Sequence, residues 1–234
     1  LVSHRHVHGG AFQKGTKTDN TNFISMLASS GFVVASIDYR LGWAQDSTNY
    51  CDGDTAEARQ AVYRALQDAR ASLRFIVAHA SDYSIDTSWI FMSGESAGGV
   101  TTLYTAFVGP DKVNQVFPDL IPTLGPLDTD NSLTNKFKIK AIVPMWGALA
   151  SPDFITSANV VPALFFHGEA DSIVPCGEGH YFNCPNMGMA YGSIPLYQKI
   201  ISLGAPAIAH IDPTGDHGVY TVNYRTPNIV CFLN

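Results

Sequence analysis

Charge is scarce in this 234-residue chain: only 15% of positions are Asp, Glu, Lys or Arg, and 14 basic residues face 20 acidic ones. There is no basic run, and a net charge of −6 argues against nucleic acid or an anionic membrane as the main partner. Long apolar runs are missing as well, none reaching the roughly 18 uncharged apolar residues that a membrane span needs. Yet a hydrophobic content of 46% is too high for a disordered chain, so a soluble globule is expected. Internal repeats, low-complexity tracts and Gly/Ser linkers are absent, and the length suits a single domain over 1–234.

Cysteine is also sparse. The four present are too few for a disulfide scaffold and lack the paired CxxC spacing of a zinc site. Cys176 and Cys184 flank the short loop CGEGHYFNC, whose Gly and Asn residues let two Cα atoms reach bridging distance. A disulfide is expected there, with Cys51 and Cys231 as a second candidate pair. Bridges of this kind imply an oxidising compartment, hence a secreted or otherwise extracytoplasmic protein. Leu1 stands where an initiator Met would, as in a processed or truncated chain.

What is present is an alternation of short apolar runs and amphipathic segments. Strands are expected over 1–7, 32–37, 89–92, 139–144, 162–166 and 207–211, and helices over 20–29, 55–80, 97–108, 190–203 and 219–232. The longest helix carries Ala58, Ala61, Val62, Ala65, Leu66, Ala69, Leu73, Ile76 and Val77 on one face, with Thr55 as its expected N-cap. Apolar strands separated by helices imply a mostly parallel sheet with helices on both faces. Segment 109–138 breaks the rhythm with Pro110, Pro118, Pro122 and Pro126. It reads equally as a surface excursion or as a lid, in which case Val113, Val116, Phe117, Leu120 and Ile121 would face a substrate.

The most informative string is FMSGESAGG, in which Gly94-Glu95-Ser96-Ala97-Gly98 has the G-x-S-x-G form. A serine hydroxyl becomes a useful nucleophile when it is exposed on a strained strand-to-helix turn, and small flanking residues let the backbones approach. Here the pattern follows an apolar strand and opens a helix. A nucleophile also needs an oxyanion hole, a base and an acid to orient that base. Upstream, His8-Gly9-Gly10-Ala11-Phe12 follows a strand and frees backbone N–H groups. Downstream, HGEADSIVP sets Asp171 just past one strand and GDHGVY sets His217 just past the next. Strand ends of a parallel sheet gather along one edge, so Ser96, Asp171 and His217 can converge.

On these residues the chain resembles the carboxylesterase and lipase branch of the α/β-hydrolase superfamily: the HGGAF oxyanion motif, the GESAGG elbow, the order Ser, Asp, His, and the IDYRLG and DARASLRFI stretches. The resemblance runs from Val7 to about Tyr220. It implies Ser96 as nucleophile, His217 as general base and acid, Asp171 as its orienter, and the N–H groups of Gly10, Ala11 and Ala97 as the oxyanion hole, with His8 bracing that loop. The implied activity is hydrolysis of carboxylic esters through an acyl-enzyme, without cofactor or metal. Aryl esters, acetylated or feruloylated sugars, short-chain acyl esters and polyester surfaces are candidate substrates. The family carries two strands ahead of its oxyanion strand, so the resemblance implies that the first strands are lacking here. An S9-like serine peptidase is the alternative enzyme, although no propeller domain is present. A catalytically silent binding or adhesion module is the alternative of another class.

Phe12, Trp43, Trp146, Phe154 and Val174 fall on strand-end loops and are candidates to line a substrate pocket, core packing being the alternative for each. Asp216 adjoins His217 but should point away from it, and Asp153 is a weaker rival acid. Glu95 is expected to make a structural hydrogen bond beneath the turn, His79 to cap a helix, and His167 to shape the HGEAD loop. His4, His6 and His8 alternate along the first strand. That spacing can hold zinc, but an irregularity of the sequence near the terminus is the plainer reading.

Overall fold

The computed structural model describes residues 1–44 and 49–234. Among the described residues eight strands form: β1 (Val2–Val7), β2 (Phe32–Ile37), β3 (Ile90–Glu95), β4 (Ile139–Met145), β5 (Ala163–Gly168), β6 (Glu178–His180), β7 (Met189–Tyr191) and β8 (Ala207–Asp212). Six of them make one parallel sheet in the order β2-β1-β3-β4-β5-β8, and β6 and β7 make a separate antiparallel hairpin. The helices are α1 (Thr21–Ser29), α2 (Thr55–Ala78), α3 (Ala97–Phe107), α4 (Val113–Val116), α5 (Ile121–Leu124), α6 (Ser193–Ser202) and α7 (Val222–Leu233).

Strand side chains alternate between faces, so each central strand feeds two cores. Ile90, Met92, Ile142 and Phe165 join the larger one, with α2, α3 and α6. Phe91, Val143, Leu164 and Phe166 join the smaller, with Phe23 and Leu27 of α1 and Ile229 and Leu233 of α7. Burial on both faces is why these strands are apolar throughout.

Local chemistry moves several boundaries from their expected places. Asp54, not Thr55, caps α2: its carboxylate accepts from the N–H groups of Ala56 and Glu57, and a negative cap also suits the helix dipole. The helix expected from residue 190 begins only at Ser193, because Met189–Tyr191 pairs with Glu178–His180 instead.

The polar residues of β1 are buried; His4, Arg5 and His6 each have at least one side-chain hydrogen-bond partner, while His4 Nδ1 and Arg5 Nε have none. Asn20 Nδ2 donates to His6 Nε2 (2.9 Å), so the His6 proton is on Nδ1 and is donated to Ser93 Oγ (2.9 Å); the Ser93 hydroxyl then donates to His4 Nε2 (2.6 Å). Their rings pack edge-on against Phe23 and Phe32. Arg5 donates instead to the Ser72 carbonyl in α2. His8 lies beyond the strand, stacked on Tyr39 and hydrogen-bonded to the Gly9 carbonyl. The irregular first strand is thus a hydrogen-bonded layer within the sheet.

The disulfide pairing differs from the expected one. Cys51 is bonded to Cys184, with Cα atoms 5.2 Å apart, while Cys176 and Cys231 are free thiols. The β6 strand and the turn at Tyr181–Asn183 carry Cys184 away from Cys176 to the 3₁₀ turn at Tyr50–Asp52. Cys176 stays buried, its carbonyl accepting from Ile194 N–H, and Cys231 is exposed on α7.

Segment 109–138 is packed as core as much as it covers anything. Val113, Phe117, Leu120 and Leu127 are all buried in the larger cluster. Polar groups of α2 hold the same segment: Arg59 pairs with Asp119, Arg70 and Arg74 with Asp128, and Gln67 Nε2 donates to the carbonyls of Leu124 and Pro126.

Candidate active site

β3 runs into α3 through Ser96, which lies in the left-handed region at φ 55° and ψ −119°. A non-glycine residue there is strained, and the surroundings enforce it: a Cβ at Gly94 would lie 2.1 Å from the Gly98 carbonyl oxygen, and one at Gly98 would lie 2.0 Å from that of Val7. Ser96 N–H is tied to the Met145 carbonyl. Beneath the turn, Glu95 pairs with Arg225 at 2.5 Å, and the guanidinium lies over the rings of Trp146 and Phe23. Glu95 thus fastens α7 to the elbow.

The three strand-end residues converge. The Ser96 hydroxyl is 2.8 Å from His217 Nε2, and His217 Nδ1 is 2.7 Å from Asp171 Oδ2. With the Asp171 carboxylate accepting at Nδ1, the neutral ring has its lone pair on Nε2, facing the hydroxyl. The Asp171 side chain is fully buried. Burial alone would raise its pKa, but hydrogen bonds from His167 and His217, the His217 charge and the Val174 N–H together hold it well below the usual carboxylate range. Its Oδ1 accepts from the N–H groups of Ile173 and Val174.

The rival acids lie elsewhere. Asp216 accepts from Ser172 N–H, Ser172 Oγ and the His217 backbone N–H, shaping the loop and not touching the imidazole. Asp153 is exposed and paired with Lys199. His79 ends α2 and pairs with Asp82.

Gly10, Ala11 and Phe12 follow one another at φ 109°, 54° and 61°. Two side-chain donors hold this turn: Tyr39 OH to the His8 carbonyl (3.0 Å) and Trp43 Nε1 to the Ala11 carbonyl (2.6 Å). Ala11 and Ala97 line one cavity with Ser96, and Ala97 is the first residue of α3. Helix N-termini favour negative charge through their unpaired amides. Gly10 does not line that cavity; a Cβ there would lie 2.1 Å from the Lys14 carbonyl oxygen, so it shapes the turn.

The cavity holds about 400 Å³ and is mostly apolar. Of the expected lining residues, Phe12, Trp43 and Val174 are present. Trp146 is not: it packs edge-on to His217 at 6.2 Å within the smaller core. Nor is Phe154, which lies behind Tyr104. The sequence reading missed Tyr104, Tyr181, Phe182 and Met187, all in the wall. Tyr181 and Phe182 sit in the CGEGHYFNC loop, whose aromatic pair was the available signal.

The BD-FAE family model matches residues 5–150. A curated relative, the probable carboxylic ester hydrolase LipM of Mycobacterium tuberculosis, is 23% identical over 87% of this chain, and the chain spans about half of that relative's length. Among solved structures, the propionate-bound esterase Est2 of Thermogutta terrifontis superposes with a TM-score of 0.65 at 17% identity, covering 98% of this chain and 79% of its own. The carboxylesterase Cest-2923 of Lactobacillus plantarum gives 0.61 at 17% identity, covering 93% and 73%. The fold is that of the α/β-hydrolases.

Proposed function

The chain belongs to the BD-FAE family, and from that premise we propose that it is a serine carboxylesterase. The observation that carries this reading is the continuous Ser96–His217–Asp171 relay, opening on an apolar cavity of about 400 Å³. His217 Nε2 takes the Ser96 proton as Oγ attacks the ester carbonyl. The amides of Ala11 and Ala97 receive the developing oxyanion, with Gly10 holding the turn. His217 then protonates the leaving alcohol and activates the water that releases the acid.

The wall of the cavity favours an apolar acyl or aromatic group, since few polar atoms interrupt it. The Cys51–Cys184 bond supports an oxidising, extracytoplasmic location. Among the described residues no helix is long and apolar enough to cross a membrane.

The test is turnover of p-nitrophenyl esters from C2 to C12 by the wild type, with Ser96→Ala as control. Turnover that depends on Ser96 is expected. An inert wild type, or undiminished turnover by Ser96→Ala, would refute the assignment.

A further inference from the structure

Behind the catalytic acid stands a second histidine. His167, near the end of β5, is fully buried, and its Nε2 lies 3.2 Å from Asp171 Oδ2 and 3.0 Å from the Val174 carbonyl oxygen. Both neighbours are obligate acceptors, so Nε2 carries the proton and shares it between them. Nδ1 is 2.7 Å from the hydroxyl of Ser193, the first residue of α6 and also fully buried. In the neutral ring this Nδ1 is an acceptor, and Ser193 donates to it. Two groups of fixed polarity therefore stand in line behind a carboxylate whose Oδ2 accepts from two imidazoles at once, one from each side.

We propose that His167 and Ser193 are positioning residues for the hydrolytic reaction: Ser193 selects the His167 tautomer, and the His167 Nε2–H holds Asp171 Oδ2 in line with His217. The inference rests on the reading of Ser96, His217 and Asp171 as a triad. His167 touches neither substrate nor Ser96 and acts only through the carboxylate. Without its donor, Asp171 Oδ2 would keep a single side-chain partner in a site closed to water. The carboxylate, still held at Oδ1 by the Ile173 and Val174 N–H groups, would lose one of the two restraints on Oδ2, and its less-shared charge would favour the imidazolium form of His217 more strongly. The other ionisable groups near Asp171 are Asp216, the buried Cys176 thiol and Glu169. None of these is altered by the substitutions below.

The experiment compares wild type, His167→Leu, His167→Gln and Ser193→Ala on one p-nitrophenyl ester across pH 5 to 9. Losing the donor in His167→Leu should lower kcat by ~10- to 100-fold with KM nearly unchanged, the usual cost of losing a supporting hydrogen bond. It should also move the acid limb of kcat/KM to higher pH. His167→Gln keeps an N–H donor at the same distance from the backbone and should recover most of the activity and the original midpoint. Ser193→Ala should shift both quantities in the same direction as His167→Leu but less, and it serves if His167→Leu fails to fold. In ¹⁵N-histidine spectra of the wild type, His167 should carry its proton on Nε2 and accept from Ser193 at Nδ1.

A folded His167→Leu, or a folded Ser193→Ala, with wild-type kcat and acid limb would overturn the inference even if its melting temperature fell, since that is what a purely structural role would give. A proton on Nδ1 would overturn it as well. Wild-type turnover that needs Ser96, beside unaffected His167 and Ser193 variants, removes this inference alone. An inert wild type removes the hydrolase reading beneath it.

Discussion

Cys51 is joined to Cys184 across 133 residues of chain, and the bond clamps together two parts of the cavity wall that Ser96 faces. Asn186 strengthens the same clamp by donating to the Cys51 carbonyl (2.6 Å), and Tyr50 stacks on Phe182 with centroids 5.1 Å apart. Phe182, Asn186 and Met187 all line the cavity. The disulfide therefore supports the shape of the site as well as the fold.

Closing so long a loop should contribute about 5 kcal/mol on the chain-entropy account, the upper part of the range seen for disulfides. Reduction, or Cys51→Ser, is expected to lower the melting temperature and to flatten the C2 to C12 preference as the wall loosens. Ellman titration of the unfolded, unreduced protein should find two thiols. A count of four, or a bridge between Cys176 and Cys184 within their shared tryptic peptide, would contradict this pairing.

Ser96→Ala should reduce ester turnover by ~10⁴-fold or more, because triad members act as a unit. The melting temperature should hold or rise slightly, as Ala removes no core contact. An organophosphonate should label the wild type once, at Ser96, and labelling of a different serine would displace the assignment.

Acid should destabilise the fold well before ordinary carboxylates protonate. Burial, with the nearby charges of His6 and Arg5, lowers the His4 pKa to about 3, and burial with the charges of Arg225 and His8 lowers that of His6 to about 3. In the unfolded chain both titrate near the usual ~6.5. Between those values the unfolded state binds protons that the folded state refuses, so stability is full above about pH 6.5 and falls as the pH drops towards 3. Each histidine contributes a slope of up to about 1.4 kcal/mol per pH unit. Asp171 acts in the same direction further down: its depressed pKa adds stability that is complete above about pH 4 and is lost below it. Urea midpoints at pH 7.5, 6 and 4.5 should decline in that order; a constant midpoint would count against the neutral buried layer.

Deleting residues 112–131 should unfold the protein, because the deletion removes Val113, Phe117, Leu120 and Leu127 from the larger core together with Asp119, Asp128 and the Leu124 and Pro126 carbonyls, which partner α2 arginines and Gln67. The finer variant Phe117→Ala should cost about 3 to 5 kcal/mol, as large-to-small core changes do. It should also shift preference towards longer acyl chains, since Phe117 lines the cavity. A stable deletion variant with unaltered chain-length preference would show the segment to be peripheral.

The sequence by itself determined the order of the main-sheet strands and the helices between them, and it singled out Ser96, Asp171 and His217 as the candidate reacting groups. Apolar strands alternating with amphipathic helices leave little but a covered parallel sheet, and the strained turn at Ser96 demands Gly94 because the contact it permits, with the Gly98 carbonyl, lies within a few residues of the serine, whereas Gly98 makes room for the Val7 carbonyl of a neighbouring strand. Asp171 and His217 were legible because each follows a strand, and parallel strands end on one edge. The tertiary structure decided what depends on contacts between distant parts of the chain. It paired Cys51 with Cys184, although Cys176 is far nearer in sequence, because the β6–β7 hairpin carries Cys184 across the cavity. It turned Trp146 and Phe154 away from the cavity and brought Tyr104, Tyr181 and Met187 to its wall. It drew His4 and His6 into one layer through Ser93, and set Ser193 behind His167. Local pattern records which way a backbone turns and which face is apolar; which side chains meet across the sheet depends on helix packing and loop paths, and no short stretch of sequence contains these.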